Sequence, residues 1–271
     1  MTGQRPLALV TGASSGIGQA LAERLASDGH DLIVVARRGR RLGALAERLQ
    51  AEHGVAVEAL VADLTEPEDL ARVEARVVKA AEERLTLLVN NAGFSGYGAF
   101  VEVEQAVLER LMAIHVTTPV RLIRAALPGM LARGEGAVVD VASLLSLSGP
   151  LPMRMGARAT YAAGKSFQLV FMQSLAQELE DTGVRAMVCL PGMVESEFHG
   201  IRQESRPPGM PPLMSAADVA QAIVTGLARG EVVCVPGLED AQPIFEQLRD
   251  LQQATLAGGN VTGRLAARYR E

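Results

Sequence analysis

Short apolar runs alternate along the chain with longer segments whose apolar residues recur at helical spacing. Several of these runs are apolar at nearly every position, which is typical of parallel strands buried on both faces. The alternation predicts an α/β fold, a doubly wound parallel sheet with helices on both faces. The predicted strands are residues 6–10, 31–36, 55–62, 85–90, 136–142, 184–190 and 231–235. The predicted helices are residues 16–28, 40–52, 66–83, 103–127, 160–181 and 215–229.

The chain shows no linker or compositional break, so residues 1–271 are predicted to form a single domain. Two segments do not follow the alternation. Residues 193–214 form a long connection rich in Pro, Gly and Met. Loops of that length are commonly functional lids or disordered segments, and we expect a lid at a substrate site. Residues 148–160 are expected to be a variable insertion.

The composition narrows the class of protein. With 48% hydrophobic residues and a formal net charge of -5, the chain has enough apolar residues for a large core and lacks the basic surface of a nucleic-acid binder. Its two cysteines lie inside apolar runs without CxxC spacing, which indicates reduced, buried thiols. No run has the length of a membrane helix, and the first residues do not resemble a signal peptide. We expect a cytoplasmic protein without a nucleic-acid partner, a membrane partner or a metal site.

A glycine-rich turn, TGASSGIG at residues 11–18, follows the first predicted strand and precedes the first predicted helix. Gly12 can form the tight turn, Gly16 lets the backbone approach a phosphate, and Gly18 permits close packing of helix on strand. Amides at the helix N-terminus would point at that anion. The position of the turn predicts a dinucleotide site, whereas glycines alone would also fit an ordinary turn.

The end of the second predicted strand indicates which dinucleotide binds. An acidic residue there would accept hydrogen bonds from a ribose 2′-hydroxyl, but the chain has Ala36 followed by Arg37 and Arg38. Guanidinium groups suit a 2′-phosphate, so NADPH is predicted over NADH. The alternative is a solvated basic turn. Asp63, after the third strand, either meets the adenine amino group or caps a turn.

The segment YAAGK at residues 161–165 places Tyr161 and Lys165 on one face of a helix. A tyrosine with its usual pKa near 10 is a poor base at neutral pH. A nearby ammonium lowers that pKa, so Tyr161 could exchange a proton with an alcohol or a developing alkoxide. Ser143, at the end of the fifth predicted strand, could hold the same oxygen. The alternative is an ordinary helix surface.

Five motifs occur in the order that the short-chain dehydrogenase/reductase family uses: TGASSGIG, NNAG at 90–93, VASLLS at 141–146, YAAGK and PGMVES at 191–196. The sequence resembles this family over residues 5–238, and its VPGLED segment is similar to the bacterial ketoreductase-like branch. The resemblance implies a Rossmann-type domain with a seven-stranded parallel sheet and hydride transfer with a nicotinamide. It also implies catalysis by Ser143, Tyr161 and Lys165.

The same resemblance implies how the cofactor is held. Arg37 stands at the position that marks NADP preference in the family, and Asn90 to Gly93 would stabilise the central strand and line the groove. The backbone of Val194 and the hydroxyl of Ser196 would engage the nicotinamide amide. The predicted cofactor-binding residues are Gly12, Ser14, Ser15, Gly16, Ile17, Gly18, Arg37, Arg38, Asp63, Leu64, Asn91, Ala92, Gly93, Tyr161, Lys165, Pro191, Gly192, Val194 and Ser196.

Two features depart from the family pattern. Ser143 stands 18 positions before Tyr161, whereas Ser148 stands 13 before it and matches the family's usual spacing better. We expect Ser143 to be the catalytic serine because the run GAVVDVAS puts it at the carboxyl end of a strand, where ligands bind in such sheets. The second departure is His115, since the family commonly has there an asparagine that bends the helix and holds a water.

His115 lies in an apolar helical pattern, in register with Leu108, Leu111, Met112 and Leu122. One interpretation is a core histidine with one hydrogen-bond partner. The interpretation that we favour adds His115 to the catalytic residues, in a proton relay or in fixing the helix. An imidazole can pass on a proton and titrate near neutral pH, although the charge of Lys165 would oppose its protonation.

The sequence therefore predicts an NADPH-dependent oxidoreductase that reduces a ketone or an aldehyde to an alcohol, or catalyses the reverse. The alternatives are a nucleotide-sensing or scaffold protein of the same fold without turnover, and a reductase of C=N or C=C bonds. The helices at 103–127 and 160–181 resemble those that the family packs into homodimers and homotetramers, so we expect a homo-oligomer.

The expected substrate is an apolar small molecule. We expect the pocket walls to come from Phe94, Ser95 and Tyr97, from residues 144–155 and from the lid. Apolar side chains in these segments favour an apolar substrate unless they only pack the loop. They are Met153, Met155, Met193, Phe198 and Leu213.

Overall fold

Seven strands form one sheet in the computed structural model, which describes residues 5–96, 98–151, 158–197, 212–260 and 265–270. The strands are β1 Leu7–Thr11, β2 Asp31–Ala36, β3 Val57–Val61, β4 Leu85–Asn90, β5 Gly136–Val141, β6 Val184–Cys189 and β7 Val233–Cys234. They are all parallel and lie in the order β3-β2-β1-β4-β5-β6-β7. The predicted parallel α/β sheet is confirmed.

Helices connect successive strands, and local sequence determines several of their ends. Pro67 begins α3 (Pro67–Glu83) because its fixed φ suits the first helical turn. Gly54 ends α2 (Gly39–His53) in the left-handed conformation. Ser215 caps α7 (Ala216–Arg229) by accepting a hydrogen bond from the Asp218 amide at 3.0 Å. The helices are α1 Gly16–Ser27, α2 Gly39–His53, α3 Pro67–Glu83, α4 Gln105–Met112, α5 Thr118–Arg133, α6 Ala159–Glu178 and α7 Ala216–Arg229.

The strand order reverses at β1, which pairs with β2 on one side and with β4 on the other. Val10, Val34 and Val89 form a fully buried row across these three strands, packed with Leu21 of α1 and Ile223 of α7. Connections that leave on opposite faces open a crevice at the carboxyl ends of the two central strands. The fold therefore positions a ligand site beside the ends of β1 and β4.

The segment predicted to be helical at 103–127 is helical without a break from Gln105 to Arg133, but a π-helical turn at Ala113–Thr117, which the sequence did not predict, divides it into α4 and α5. The Thr118 amide donates to the Ala113 carbonyl, five residues back. A π turn inserts one residue into the helix and rotates the face that follows it. Met112, which the straight-helix register placed beside His115, is consequently 47% exposed, whereas His115 is fully buried.

The chain divides into two compact units, Met1–Gly237 and Leu238–Glu271. The first contains the whole sheet and helices α1 to α7. The second contains a helix absent from the sequence prediction, α8 at Gln242–Asn260, and a 3₁₀ turn at Ala267–Tyr269. The prediction of a single domain over the whole chain is not tested by this division and stays a prediction, as does the homo-oligomer.

The two irregular segments are described in part. Residues 198–211 of the predicted lid, with Phe198, and residues 152–157 of the predicted insertion, with Met153 and Met155, lie outside the described residues. The two ends of the 193–214 segment are joined by a parallel bridge, in which the Glu195 amide donates to the Met214 carbonyl at 2.9 Å. Among the described helices, none is both long and apolar enough to cross a membrane.

Candidate active site

Loops that follow strands β1 to β6 enclose a cleft of about 510 Å³ at the carboxyl end of the sheet. Ser143, Tyr161 and Lys165 line it together with the predicted cofactor-binding residues other than Gly18. The structure thus brings together residues that are spread over most of the sequence. Phe94 and Ser95 also line the cleft, as expected, whereas Tyr97 lies outside the described residues.

The glycine turn forms one end of the cleft. Gly12 has a φ of +70°, and a Cβ there would lie 2.7 Å from the Asn91 side-chain nitrogen. A Cβ on Gly18 would lie 2.5 Å from the Gly12 carbonyl oxygen, so Gly18 packs α1 on the turn rather than facing the cleft. A Cβ on Gly16 would have only the Ser196 side chain nearby, with its Cβ 3.4 Å away. The turn therefore leaves open backbone at the N-terminus of α1, where an anionic group fits.

Thr11 ties this turn to the segment after β4. Its hydroxyl donates to the Val89 carbonyl and accepts hydrogen bonds from the amides of Asn91 and Ala92, at 2.9 and 3.0 Å. The Asn91 side chain donates back to the Thr11 carbonyl at 2.9 Å. These bonds hold the ends of the two central strands together, so that the floor of the cleft is rigid.

Arg37 lines the cleft beside the end of β2, and its Nη1 is 3.3 Å from the Asp63 carboxylate. Asp63 also accepts hydrogen bonds from the Thr65 amide and hydroxyl, at 3.0 and 2.7 Å, and so forms the turn that was one of its two predicted roles. Burial acts to raise the pKa of Asp63, but the hydrogen bonds from Thr65 and the charge of Arg37 bring it below its usual value. Asp63 is therefore ionised at neutral pH.

Arg38 and Arg41 converge on Glu197, whose carboxylate lies 2.5 Å from Arg38 Nη1 and 2.8 Å from Arg41 Nη1. Arg38 also donates to the Ser14 hydroxyl at 3.0 Å, which places its guanidinium against the glycine turn. All three charged side chains are substantially exposed, so these ion pairs are weak and exchangeable. Sequence reasoning identified Arg38 but missed Arg41 and Glu197.

Tyr161 and Lys165 lie one turn apart on the buried face of α6, and both line the cleft. Lys165 Nζ donates to the Val141 carbonyl at 2.8 Å and lies 5.9 Å from the centre of the Tyr161 ring. Burial lowers the pKa of Lys165 to about 8, against an opposing contribution from the Asp140 carboxylate. An ammonium therefore stands beside the phenol up to about that pH.

Ser143 and Ser148 occupy different positions. Ser143 lines the cleft and begins the 3₁₀ turn Leu144–Leu147, with its Oγ accepting a hydrogen bond from the Leu145 amide at 3.1 Å. Ser148 is buried behind that turn, does not line the cleft, and donates to the Leu145 carbonyl at 2.8 Å. The geometry favours Ser143 over Ser148 as the serine that meets a ligand.

His115 lies behind the cleft, in the π turn. Its ring makes an edge-to-face contact with the ring of Tyr161, with 5.3 Å between the two ring centres. Its Nε2 lies 2.9 Å from the Phe94 carbonyl oxygen, so that nitrogen carries the proton and donates. A Cβ on Gly93 would lie 2.8 Å from the ring, and one on Gly164 would lie 3.0 Å from the His115 Cβ. Both glycines leave room for the imidazole.

The charge of Lys165 was expected to keep His115 neutral, and burial acts in the same direction. Burial and the positive charge of Lys165 lower the pKa of His115 to about 3, despite the hydrogen bond to Phe94. Its Nδ1 is buried without a hydrogen-bond partner among the described residues. The imidazole is therefore uncharged near neutral pH.

Sequence reasoning also missed two buried residues behind Lys165. Asp140 interrupts the apolar run of β5, and Gln168 stands one turn after Lys165 on α6. The carboxylate inside an otherwise apolar strand was the available signal. Its meaning depended on which helix covers that face of the sheet, which the sequence alone does not give.

Comparison with known proteins identifies the class. The sequence profile of the short chain dehydrogenase family matches residues 6–206 of the chain. A short chain dehydrogenase of Pseudocercospora fijiensis is 37% identical over 197 residues, which cover 72% of this chain and 62% of that relative. An uncharacterized oxidoreductase of Myxococcus xanthus is 35% identical over 224 residues, covering 83% and 84% of the two chains.

Solved structures agree with the sequence relatives. A short-chain dehydrogenase from Sphingobium yanoikuyae, in complex with NADPH, superposes with a TM-score of 0.87 at 37% identity, covering 97% of this chain and all of the other. The bulky-bulky ketone specific alcohol dehydrogenase from Comamonas testosteroni superposes with a TM-score of 0.85 at 33% identity, covering 98% and 99%. The chain belongs to the short-chain dehydrogenase family and is an oxidoreductase of that family.

Proposed function

We propose that the protein is an NADPH-dependent reductase that converts an apolar ketone or aldehyde to an alcohol, or catalyses the reverse. The observation that carries the proposal is that Ser143, Tyr161 and Lys165 line the same cleft as the glycine turn. The similarity to the NADPH complex from Sphingobium yanoikuyae and to the ketone-specific enzyme from Comamonas testosteroni supports it.

The cleft fits a nicotinamide dinucleotide. The open backbone at Gly16 suits the pyrophosphate, and the two arginines that follow β2 suit a 2′-phosphate. Val194 and Ser196 also line the cleft and would engage the nicotinamide amide. When bound, the nicotinamide supplies the hydride to the carbonyl carbon. The protein supplies the proton and the electrostatic stabilisation of the oxygen.

Tyr161 is the general acid in this mechanism. Its hydroxyl donates a proton to the substrate oxygen as negative charge develops there, and takes the proton back in the oxidation. The ammonium of Lys165 favours the phenolate that remains. Ser143 donates a hydrogen bond to the same oxygen from the carboxyl end of β5, which is the arrangement that stabilises a developing oxyanion.

The proposed substrate is a bulky, apolar carbonyl compound. Phe94 and Ile114 contribute apolar surface to the cleft that Tyr161 lines, and the Phe94 ring is covered by the Arg110 guanidinium at 5.5 Å. Apolar linings with few polar groups are typical of small-molecule sites. The ketone-specific neighbour from Comamonas testosteroni supports this class.

Incubation with NADPH and a panel of carbonyl compounds tests the proposal. We expect absorbance of NADPH to fall with ketones that carry bulky apolar groups and to stay constant with sugars and charged keto acids. In parallel, kcat/KM with NADPH should exceed that with NADH by at least about tenfold, because a charged hydrogen bond contributes about 1.5–3 kcal/mol. The double substitution Ala36→Asp with Arg37→Ala should reverse the ratio.

Calorimetric titration with NADPH distinguishes a failure to bind the cofactor from a failure to reduce carbonyl compounds. Tight binding without turnover on any carbonyl compound would support the nucleotide-binding scaffold instead. An equal or NADH-favouring ratio in the wild-type enzyme would rule out the cofactor assignment and leave the reductase assignment standing.

We further propose that His115 is a positioning residue for Tyr161 and not a proton carrier, since its imidazole is neutral and touches the phenol edge on. His115→Ala should lower kcat by about 10- to 100-fold, because small displacements of catalytic groups cost that much. The pH dependence between 6 and 8 should not change. His115→Asn, which retains a donor for the Phe94 carbonyl, should recover most of kcat.

Leu122→Ala is the matched control, because Leu122 is fully buried in α5 but does not line the cleft, so its truncation should cost stability and leave kcat largely unchanged. Unchanged kcat in His115→Ala would leave His115 as a core residue. A shifted pH profile in that variant would restore the proton relay.

A further inference from the structure

Asp140 carries a carboxylate with no exposed surface, although it lies in the apolar strand β5. Its neighbours Val139 and Val141 point into the core on the opposite face of the sheet. A buried charge is costly unless it is paired and hydrogen-bonded, so this position requires compensation. The mechanism above gives Asp140 no role.

Two amide side chains hold the carboxylate. Asn90, its register partner on β4, donates from Nδ2 to Oδ1 at 2.9 Å, and Gln168 on α6 lies with its Nε2 3.4 Å from Oδ2. The other amide atoms, Asn90 Oδ1 and Gln168 Oε1, are buried without a hydrogen-bond partner among the described residues. Both amides therefore direct their donors at Asp140 and leave their own oxygens unpaired, an arrangement that suits an ionised carboxylate.

Lys165 is the cation that faces this group. Its Nζ donates to the carbonyl of Val141, the residue next to Asp140, at 2.8 Å. Gln168 stands one turn further along α6, on the same face as Lys165. Helix α6 is thus bonded to two consecutive residues of β5: Gln168 donates to the Asp140 carboxylate, and Lys165 donates to the Val141 carbonyl. Burial raises the pKa of Asp140 to about 6, although the hydrogen bond from Asn90 and the charge of Lys165 oppose this, so the carboxylate is ionised at neutral pH. Asp140 in turn acts to raise the pKa of Lys165.

The other groups around the pair do not replace Asp140. His115 of the π turn is neutral, and Tyr161 lies one turn before Lys165 on α6. Cys189 of β6 lies in the core on the opposite face, where burial raises the pKa of its thiol. The charged residues of α4, Glu109 and Arg110, are exposed, and the 3₁₀ turn after Ser143 consists of Leu and Ser.

We propose that Asp140 is a positioning residue that acts through Lys165. Held by Asn90 and Gln168, its buried carboxylate is the counter-charge that keeps Lys165 protonated and its ammonium at the edge of the cleft. The catalytic consequence rests on the role proposed above for Lys165, but the effect on the lysine's protonation does not depend on turnover.

The protonation of Lys165 can be observed directly, because the chain contains two lysines, Lys79 and Lys165. Selective labelling with [ζ-15N]lysine gives one resonance for each, and Lys79→Met assigns them. In a pH titration of wild-type protein, we expect Lys165 to lose its proton near pH 8. In Asp140→Asn it should do so at least about one pH unit lower, because the substitution removes the negative charge that acts to raise the pKa of Lys165, and a nearby opposite charge shifts a pKa by about 1–3 units.

Asp140→Ser makes the same change in charge with a smaller side chain, so a folding defect of one variant does not remove the test. Asp31→Asn is the matched control. Asp31 is also a nearly buried carboxylate, but it pairs with Arg84 at the amino end of β2 and should not alter the Lys165 titration. The same pH of titration for Lys165 in wild type, Asp140→Asn and Asp140→Ser would overturn the proposal.

Kinetics give the second measurement. In Asp140→Asn, the decline of kcat/KM on raising the pH should move down by the same interval as the lysine resonance, whereas a purely structural role of Asp140 would lower activity at all pH values alike. A shifted resonance without any carbonyl reduction in the wild type would leave the Asp140 proposal standing and refute the proposed function.

Discussion

Tyr161→Phe is expected to lower kcat for carbonyl reduction by about 10²- to 10⁴-fold, the usual contribution of a positioned general acid. The substitution removes one hydroxyl from a side chain that is almost completely buried. The phenyl ring preserves the edge contact with His115, so the helix and the cleft should retain their shape. Steady-state kinetics with NADPH and the best ketone of the panel measure the effect.

Binding of NADPH by calorimetry should change little in Tyr161→Phe, because the glycine turn and the two arginines that follow β2 are untouched. Tyr269→Phe is the matched control, since Tyr269 lies exposed in the second compact unit and should leave kcat unchanged. Full turnover in Tyr161→Phe would rule out this residue as the proton donor.

The parallel sheet was predictable because its strands are apolar on both faces and are separated by helices long enough to cross over. The glycine turn was predictable for a local reason. Gly12 and Gly16 both adopt positive φ values, which other residues rarely tolerate, so the chemistry of the turn is visible in the sequence itself.

Other parts of the site depend on contacts between distant positions. Glu197 binds Arg41 across 156 positions, and nothing in either local pattern indicates the pair. The π turn around His115 was missed because helical periodicity does not show where one extra residue is inserted. Asp140 and Lys165 were 25 positions apart in sequence, and only the packing of α6 on β5 makes them neighbours.

Removing the ammonium with Lys165→Met is expected to lower kcat by at least about 10²-fold, the scale of one lost electrostatic contact at a developing charge. The wild-type enzyme should show the same loss gradually as pH rises. Because burial lowers the pKa of Lys165 to about 8, the ammonium is present below that pH and disappears above it. Reduction should therefore slow above about pH 8.

The substitution also leaves Asp140 buried without its cation, which by itself destabilises a fold by about 3–5 kcal/mol. The double variant Lys165→Met with Asp140→Asn removes both charges and should recover much of that free energy of unfolding, measured by urea denaturation. Its kcat should stay as low as in the single variant, because the ammonium is still missing. Lys79→Met, at an exposed position of α3, controls for loss of a lysine and should match wild type. Recovery of kcat together with stability in the double variant would show that Lys165 supports the fold and not the proton transfer.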